Sequence, residues 1–179
     1  MESLAEANGI LRNCDSEYTL KLIQNPVPLE SDCHTGILEK GKNEYTIGVY
    51  TGTKLVSYLS FNVYPKVIHI MYSCTKIDYR RKKLNLILRL LLIEVAYRLK
   101  VKYIVSYTNN ASGGLLEQFN ARKLKTPFPE EINKLIDYLG VISKESIHGG
   151  INSIIELNDP ETKKMVGDLR NSFDQCKIK

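Results

Sequence analysis

The sequence predicts an α/β fold in which a mixed, mostly antiparallel sheet contains one parallel pair and has helices packed on it. Three β-rich runs follow one another closely: Tyr45 to Tyr50, Leu55 to Tyr64 and Val67 to Lys76. Links this short join antiparallel neighbours. The third run leads into a Leu-rich segment where Leu84, Leu88, Leu91, Val95 and Leu99 recur at steps of three and four, the period of an amphipathic helix. Another β run, Val101 to Tyr107, follows at once. Strand, helix, strand is a crossover and places its two strands parallel. A sheet built this way can splay where the parallel pair diverges.

Each element has a local reason. Met1 to Glu39 is the least legible part, with a short helix expected over Ser3 to Cys14 and regular structure forbidden around Pro26-Val27-Pro28. His34 beside Cys33 reads as a loop histidine, because adjacent strand residues face opposite ways and no third group orients a nucleophile. Gly52 supports a tight hairpin between the first two β runs. Asn109-Asn110-Ala111-Ser112 offers capping side chains to a second, shorter helix ending near Phe119. Lys123-Leu124-Lys125 and Pro127-Phe128-Pro129 break the pattern. Glu130 to Leu139 then has Ile132, Leu135, Ile136 and Leu139 on one helical face, with Gly140 ending it. Val141 to Ser143 and Ser153 to Leu157 read as strands flanking Gly149-Gly150. A last helix opens at Asp159-Pro160, with proline at its first position, and runs to about Phe173. The tail from Lys177 is expected to fray.

Composition narrows the function classes. A chain of 179 residues with 43% hydrophobic and 25% charged residues is expected to form one domain, residues 1–179, with an ordinary soluble core. The net charge of +5 suits an anionic cofactor, an acidic substrate or weak nucleic-acid attraction, and selects none of them. Cys14, Cys33, Cys74 and Cys176 lie far apart without a C-x-x-C pair. No zinc site or other metal is expected, and reduced thiols in a cytoplasmic setting, cytosol or nucleus, are the simpler reading. Neither a secretory signal nor a membrane span is read from the sequence, since Asn85, Arg89, Glu94 and Arg98 interrupt the longest apolar run.

The first strong functional signal is Arg80-Arg81-Lys82-Lys83, expected in the turn and first helical turn after the third β run. Cations at a helix N-terminus oppose the macrodipole, so an anion there would offset the cost. Unpaired helix N–H groups beside guanidinium forks suit phosphate or pyrophosphate. The alternative is a solvated charge run.

With that order of elements, the stretch from Tyr79-Arg80-Arg81-Lys82-Lys83-Leu84-Asn85 through Asn109-x-x-Ser112 to Leu115-Leu116-Glu117 resembles the GNAT superfamily of acyl-CoA-dependent N-acetyltransferases. The likeness covers the middle third of the chain. It implies a splayed parallel pair, helices on both sheet faces, and acetyl-CoA (coenzyme A) as co-substrate for transfer to an amine of a protein, polyamine or small molecule. It also implies cofactor contacts from Cys74, Thr75 and Lys76 on the strand, from Arg80, Arg81, Lys82, Lys83, Leu84 and Asn85 at the turn, and from Asn109 and Ser112 beyond. Two departures stand out. Lys83 and Asn85 occupy the family's glycine positions, which a helical backbone would not demand. Leu116 occupies the place of the tyrosine that reprotonates the thiolate, and leucine donates no proton.

His69, Tyr72 and Tyr107 are the candidates for proton handling, from their places on or beside the two parallel strands. A catalytically degenerate binding module of the same fold is the second reading. Nucleic-acid binding is weaker, because no aromatic is interleaved with the basic run and one helical turn reads a groove poorly. The sequence leaves pairing into a homodimer open.

Overall fold

The computed structural model describes residues 18–23, 44–108, 116–139 and 151–174. Those residues hold a seven-stranded sheet in the order β1-β2-β3-β4-β5-β7-β6. Strands β1 (Tyr18–Ile23), β2 (Glu44–Thr51), β3 (Lys54–Tyr64) and β4 (Val67–Thr75) form an antiparallel meander. Gly52, at φ +58°, makes the two-residue β2–β3 turn. Helix α1 (Leu84–Arg98) crosses over to β5 (Tyr103–Ser106), which lies parallel to β4. β6 (Arg122–Lys123), α2 (Glu130–Leu139), β7 (Ser153–Glu156) and α3 (Pro160–Asp174) complete the described chain. The first strand was not legible, and β6 falls where a break in the pattern is expected.

Alternation along the strands divides the core. Ile68, Ile104 and Ile155 pack with α1 and with Val166 of α3, whereas Val67, Val105 and Ile154 pack with Ile132 and Leu135 of α2. Helices therefore cover both faces. On α3, Asp159 caps the start, its carboxylate accepting the Glu161 N–H at 2.8 Å and its carbonyl the Lys163 N–H at 3.1 Å.

Helix α1 corrects the amphipathic expectation. Leu84, Leu86 to Ile93 and Ala96 are all buried, while Leu99, on the expected apolar stripe, is 53% exposed and lies just past the helix. The helix is held between the sheet and α3, so two sides need apolar residues rather than one. Its C-terminus closes with Lys100 at φ +54°, where the Lys100 N–H reaches Tyr97 O and the Val101 N–H reaches Ala96 O. That is the Schellman bonding pattern, made here with lysine in the usual glycine position.

Candidate functional site

β4 and β5 are hydrogen-bonded only from Val67↔Tyr103 to Ile70↔Ser106, yet β4 continues to Thr75. Two local features separate them. Met71 is skipped in the register with β3, a bulge that bends β4 as it leaves its neighbour. Past β5, the Thr108 N–H and hydroxyl donate to Asn152 Oδ1 at 2.7 and 3.0 Å, and Asn152 Nδ2 donates to Thr108 O at 2.8 Å. This clamp ties the end of β5 to the approach to β7. Among the described residues, no strand pairs with the Tyr72 to Thr75 stretch of β4 on the β5 side, so the sheet splays open there. A cavity of about 230 Å³ lies at the β7 side of the same end, with Thr108, Leu116 and Asn152 in its wall. Leu116 is buried in the main core.

From β4 the chain passes through a 3-10 turn, Ile77–Tyr79, into the basic segment. All four cations precede the helix, which begins at Leu84. Arg81 and Lys83 have φ of 64° and 57°. The expectation that Lys83 is helical, and so indifferent to glycine, is thereby corrected: it is a left-handed N-cap, whereas Asn85 is helical. A non-glycine residue in that region costs about 1 kcal/mol or more. Turns of this kind present successive N–H groups to one concave side. The helix start has no side-chain cap and no acid in its first turn, and its first backbone bond at this end is Ile87 N–H to Lys83 O. The N–H groups of Leu84, Asn85 and Leu86 have no acceptor within α1 and form a donor set at its positive end.

The basic side chains surround it. Arg80 Nε donates to Thr75 O at 3.1 Å, fixing the turn against β4. Lys82 Nζ lies 5.3 Å from the Tyr79 ring centroid and 3.4 Å from Tyr18 Oη, and Lys54 Nζ lies 5.5 Å from the same ring. Arg81 and Lys83 are exposed. On β4, the Ser57 hydroxyl donates to Cys74 O and the Lys76 N–H to Val56 O. Cys74 is disulfide-bonded, which overturns the expectation of reduced thiols, and the other cysteines lie outside the described residues. Asn109 and Ser112 also lie outside the described residues.

The three candidates for proton handling occupy different settings. His69 sits in the paired part of β4, opposite Asn62 and beside Val105, and is 2% exposed. Neither ring nitrogen has a hydrogen-bond partner, and Asn62 Oδ1 across the ladder has none either. Desolvation pushes its pKa down to about 4, so at neutral pH the imidazole is uncharged and a weak base. Tyr72 follows the bulge, opposite Ser60 of β3 and beyond the last residue that pairs with β5, and Tyr107, past β5, is 48% exposed.

Arg89 escaped sequence reasoning, which saw only an interruption of an apolar run. It is 4% exposed, on the α1 side facing β4. Its Nε donates to Asn85 Oδ1 at 3.1 Å and its Nη2 to Ser73 Oγ at 3.0 Å, while Nη1 is buried without an acceptor. Burial lowers its pKa to about 10, leaving it cationic at neutral pH. Ser73 and Asn152 escaped as well. A buried charge facing no opposite charge has no local sequence signature.

No family model and no curated protein matches the sequence. Solved structures do. Ribosomal-protein-S18-alanine N-acetyltransferase from Escherichia coli is similar over 79% of this chain and 95% of that one, at 13% identity and a TM-score of 0.54. Tetrahymena GCN5 is similar over 66% and 71%, at 12% identity and a TM-score of 0.52. The order of elements, the single parallel pair and these likenesses agree: the chain has the GNAT acetyltransferase fold.

Proposed function

We propose that this chain transfers an acyl group from acyl-coenzyme A to a primary amine. The observation that carries the reading is the left-handed, uncapped turn from Arg81 to Lys83 at the start of α1, set next to the opening between β4 and β5. Free helix N–H groups, the positive helix end and exposed cations together suit a pyrophosphate. Residues Arg80 to Asn85 would hold it, and the thioester arm would follow β4 into the opening. Bound there, the cofactor supplies an activated acyl carbonyl. Attack by the unprotonated amine forms the C–N bond and breaks the C–S bond, after which the thiolate takes a proton. Leu116 has none to give. Tyr72 and Tyr107 are the candidates for that donor, whereas His69, buried and with its pKa lowered to about 4, is too weak a base to take the ammonium proton, so the amine arrives already unprotonated.

The acceptor is an amine of a protein, polyamine or small molecule. Release of free thiol from acetyl-CoA with a panel of such amines tests the reading, and amine-dependent release above background is the expected result. No release with any acceptor, while coenzyme A still binds, would favour the second reading: a binding module that kept the fold and lost the chemistry. The buried Leu116 is the observation favouring that one.

A further inference from the structure

The most anomalous side chain in the fold is Arg89. Guanidinium groups are seldom fully buried without a partner, because their desolvation is recovered only by opposite charge and a complete set of acceptors. Arg89 has two neutral acceptors, Asn85 and Ser73, and one buried nitrogen with none. Among the described residues no carboxylate forms an ion pair with it. Glu94, further along the same helix, is instead paired with Arg170 of α3 at 3.5 Å. The helix start adds no compensation, since α1 presents its positive end here with no acid in its own first turn and with Arg80 to Lys83 preceding it, and Asp78 is the nearest carboxylate in the sequence before them. Ser73, which anchors the guanidinium, belongs to the part of β4 that β5 does not pair. A buried cation short of one acceptor, anchored on the stretch of β4 that β5 leaves without pairing, is suited to a planar anion that enters alongside that stretch.

We propose that Arg89, with Ser73 and Asn85, forms a carboxylate-binding site reached through the opening between β4 and β5, and that a substrate of this chain carries a free carboxylate. The inference rests on the acyl-transfer reading and extends it to a substrate class. The carboxylate is either the far end of a dicarboxylic acyl group on coenzyme A or that of an amino-acid acceptor. Arg89 is a specificity-determining residue in both cases.

Titration calorimetry on wild type and Arg89→Met separates the sources, using coenzyme A, acetyl-CoA, succinyl-CoA, and glutamate in the presence of coenzyme A. Succinyl-CoA or glutamate is expected to bind wild type about tenfold or more tightly than the variant, the scale of one charge-assisted pair, while coenzyme A and acetyl-CoA bind both alike. Whichever carboxylate ligand shows the difference identifies the source. Equal affinities throughout would overturn the proposal, as would an equal loss for coenzyme A itself, which would assign Arg89 to the part common to all donors. Should Arg89→Met not fold, succinate dianion at matched ionic strength is expected to raise the melting temperature of wild type, and no rise would overturn the proposal. If neither coenzyme A nor acetyl-CoA binds wild type, the acyl-transfer reading fails, and the glutamate and succinate arms still decide Arg89.

Discussion

Left-handed backbone in this chain is carried by side chains that usually avoid it. Lys66, Arg81, Lys83, Lys100 and Asn120 all have positive φ, whereas Gly52 is the described glycine that does. Glycine-based signals for turns and helix ends were therefore silent at several real boundaries, which is why the start of α1 read as helical at Lys83. At such a site, strain is expected to be released by glycine. Lys83→Gly should stabilise the fold by about 0.5–1 kcal/mol in urea unfolding and Lys83→Val should destabilise it by more than about 1 kcal/mol. His69 makes a second prediction at this scale. Its pKa falls from 6.5 to about 4 on folding, so between those values the unfolded chain binds more protons and stability declines as pH falls from 6.5 toward 4. The difference is worth about 3 kcal/mol. Unfolding of wild type and His69→Gln, compared at pH 7 and pH 4.5, should show the wild type losing more. Equal losses would mean that the imidazole is not buried in solution.

Among the elements, the legible ones are those whose burial repeats with a period. The meander from β2 to β4, the helices α2 and α3, and the parallel crossover all follow from alternation, helical spacing and a proline at the first helical position. β1 pairs with β2 from a six-residue run flanked by segments without pattern, and β6 has two residues, so neither offers enough period to see. The opening was legible only as a general property of a parallel pair. Its causes are a bulge at Met71 and a side-chain clamp between Thr108 and Asn152, residues 44 apart in sequence, and long-range contacts of that kind leave no local trace. Helix α1 holds the core together, because its residues meet the sheet on one side and α3 on another. Leu88 is fully buried there, and Leu88→Ala should cost about 2–5 kcal/mol with a correspondingly lower melting temperature. A melting curve like wild type would contradict the packing.

For the molecule as a whole, the net charge of +5 was too diffuse to name a partner, and the fold gives it a direction. Cations from β3 and the turn gather at one end of the sheet: Lys54 and Lys82 about the Tyr79 ring, Arg80 against β4, and exposed Arg81 and Lys83. With no acid in the first turn of α1, this end is a concentrated positive field next to the opening in the sheet, the arrangement that draws in a multiply charged ligand. Loss of two of its exposed cations should therefore weaken such a ligand without harming the fold. The most direct test is titration calorimetry of acetyl-CoA with wild type and with the double variant Arg81→Glu, Lys83→Glu. Wild type is expected to bind at about micromolar level and the double variant about a hundredfold more weakly, with unchanged melting curves. Equal affinity in the two proteins, or no binding to wild type at millimolar ligand, would contradict the assignment of this turn as a pyrophosphate cradle.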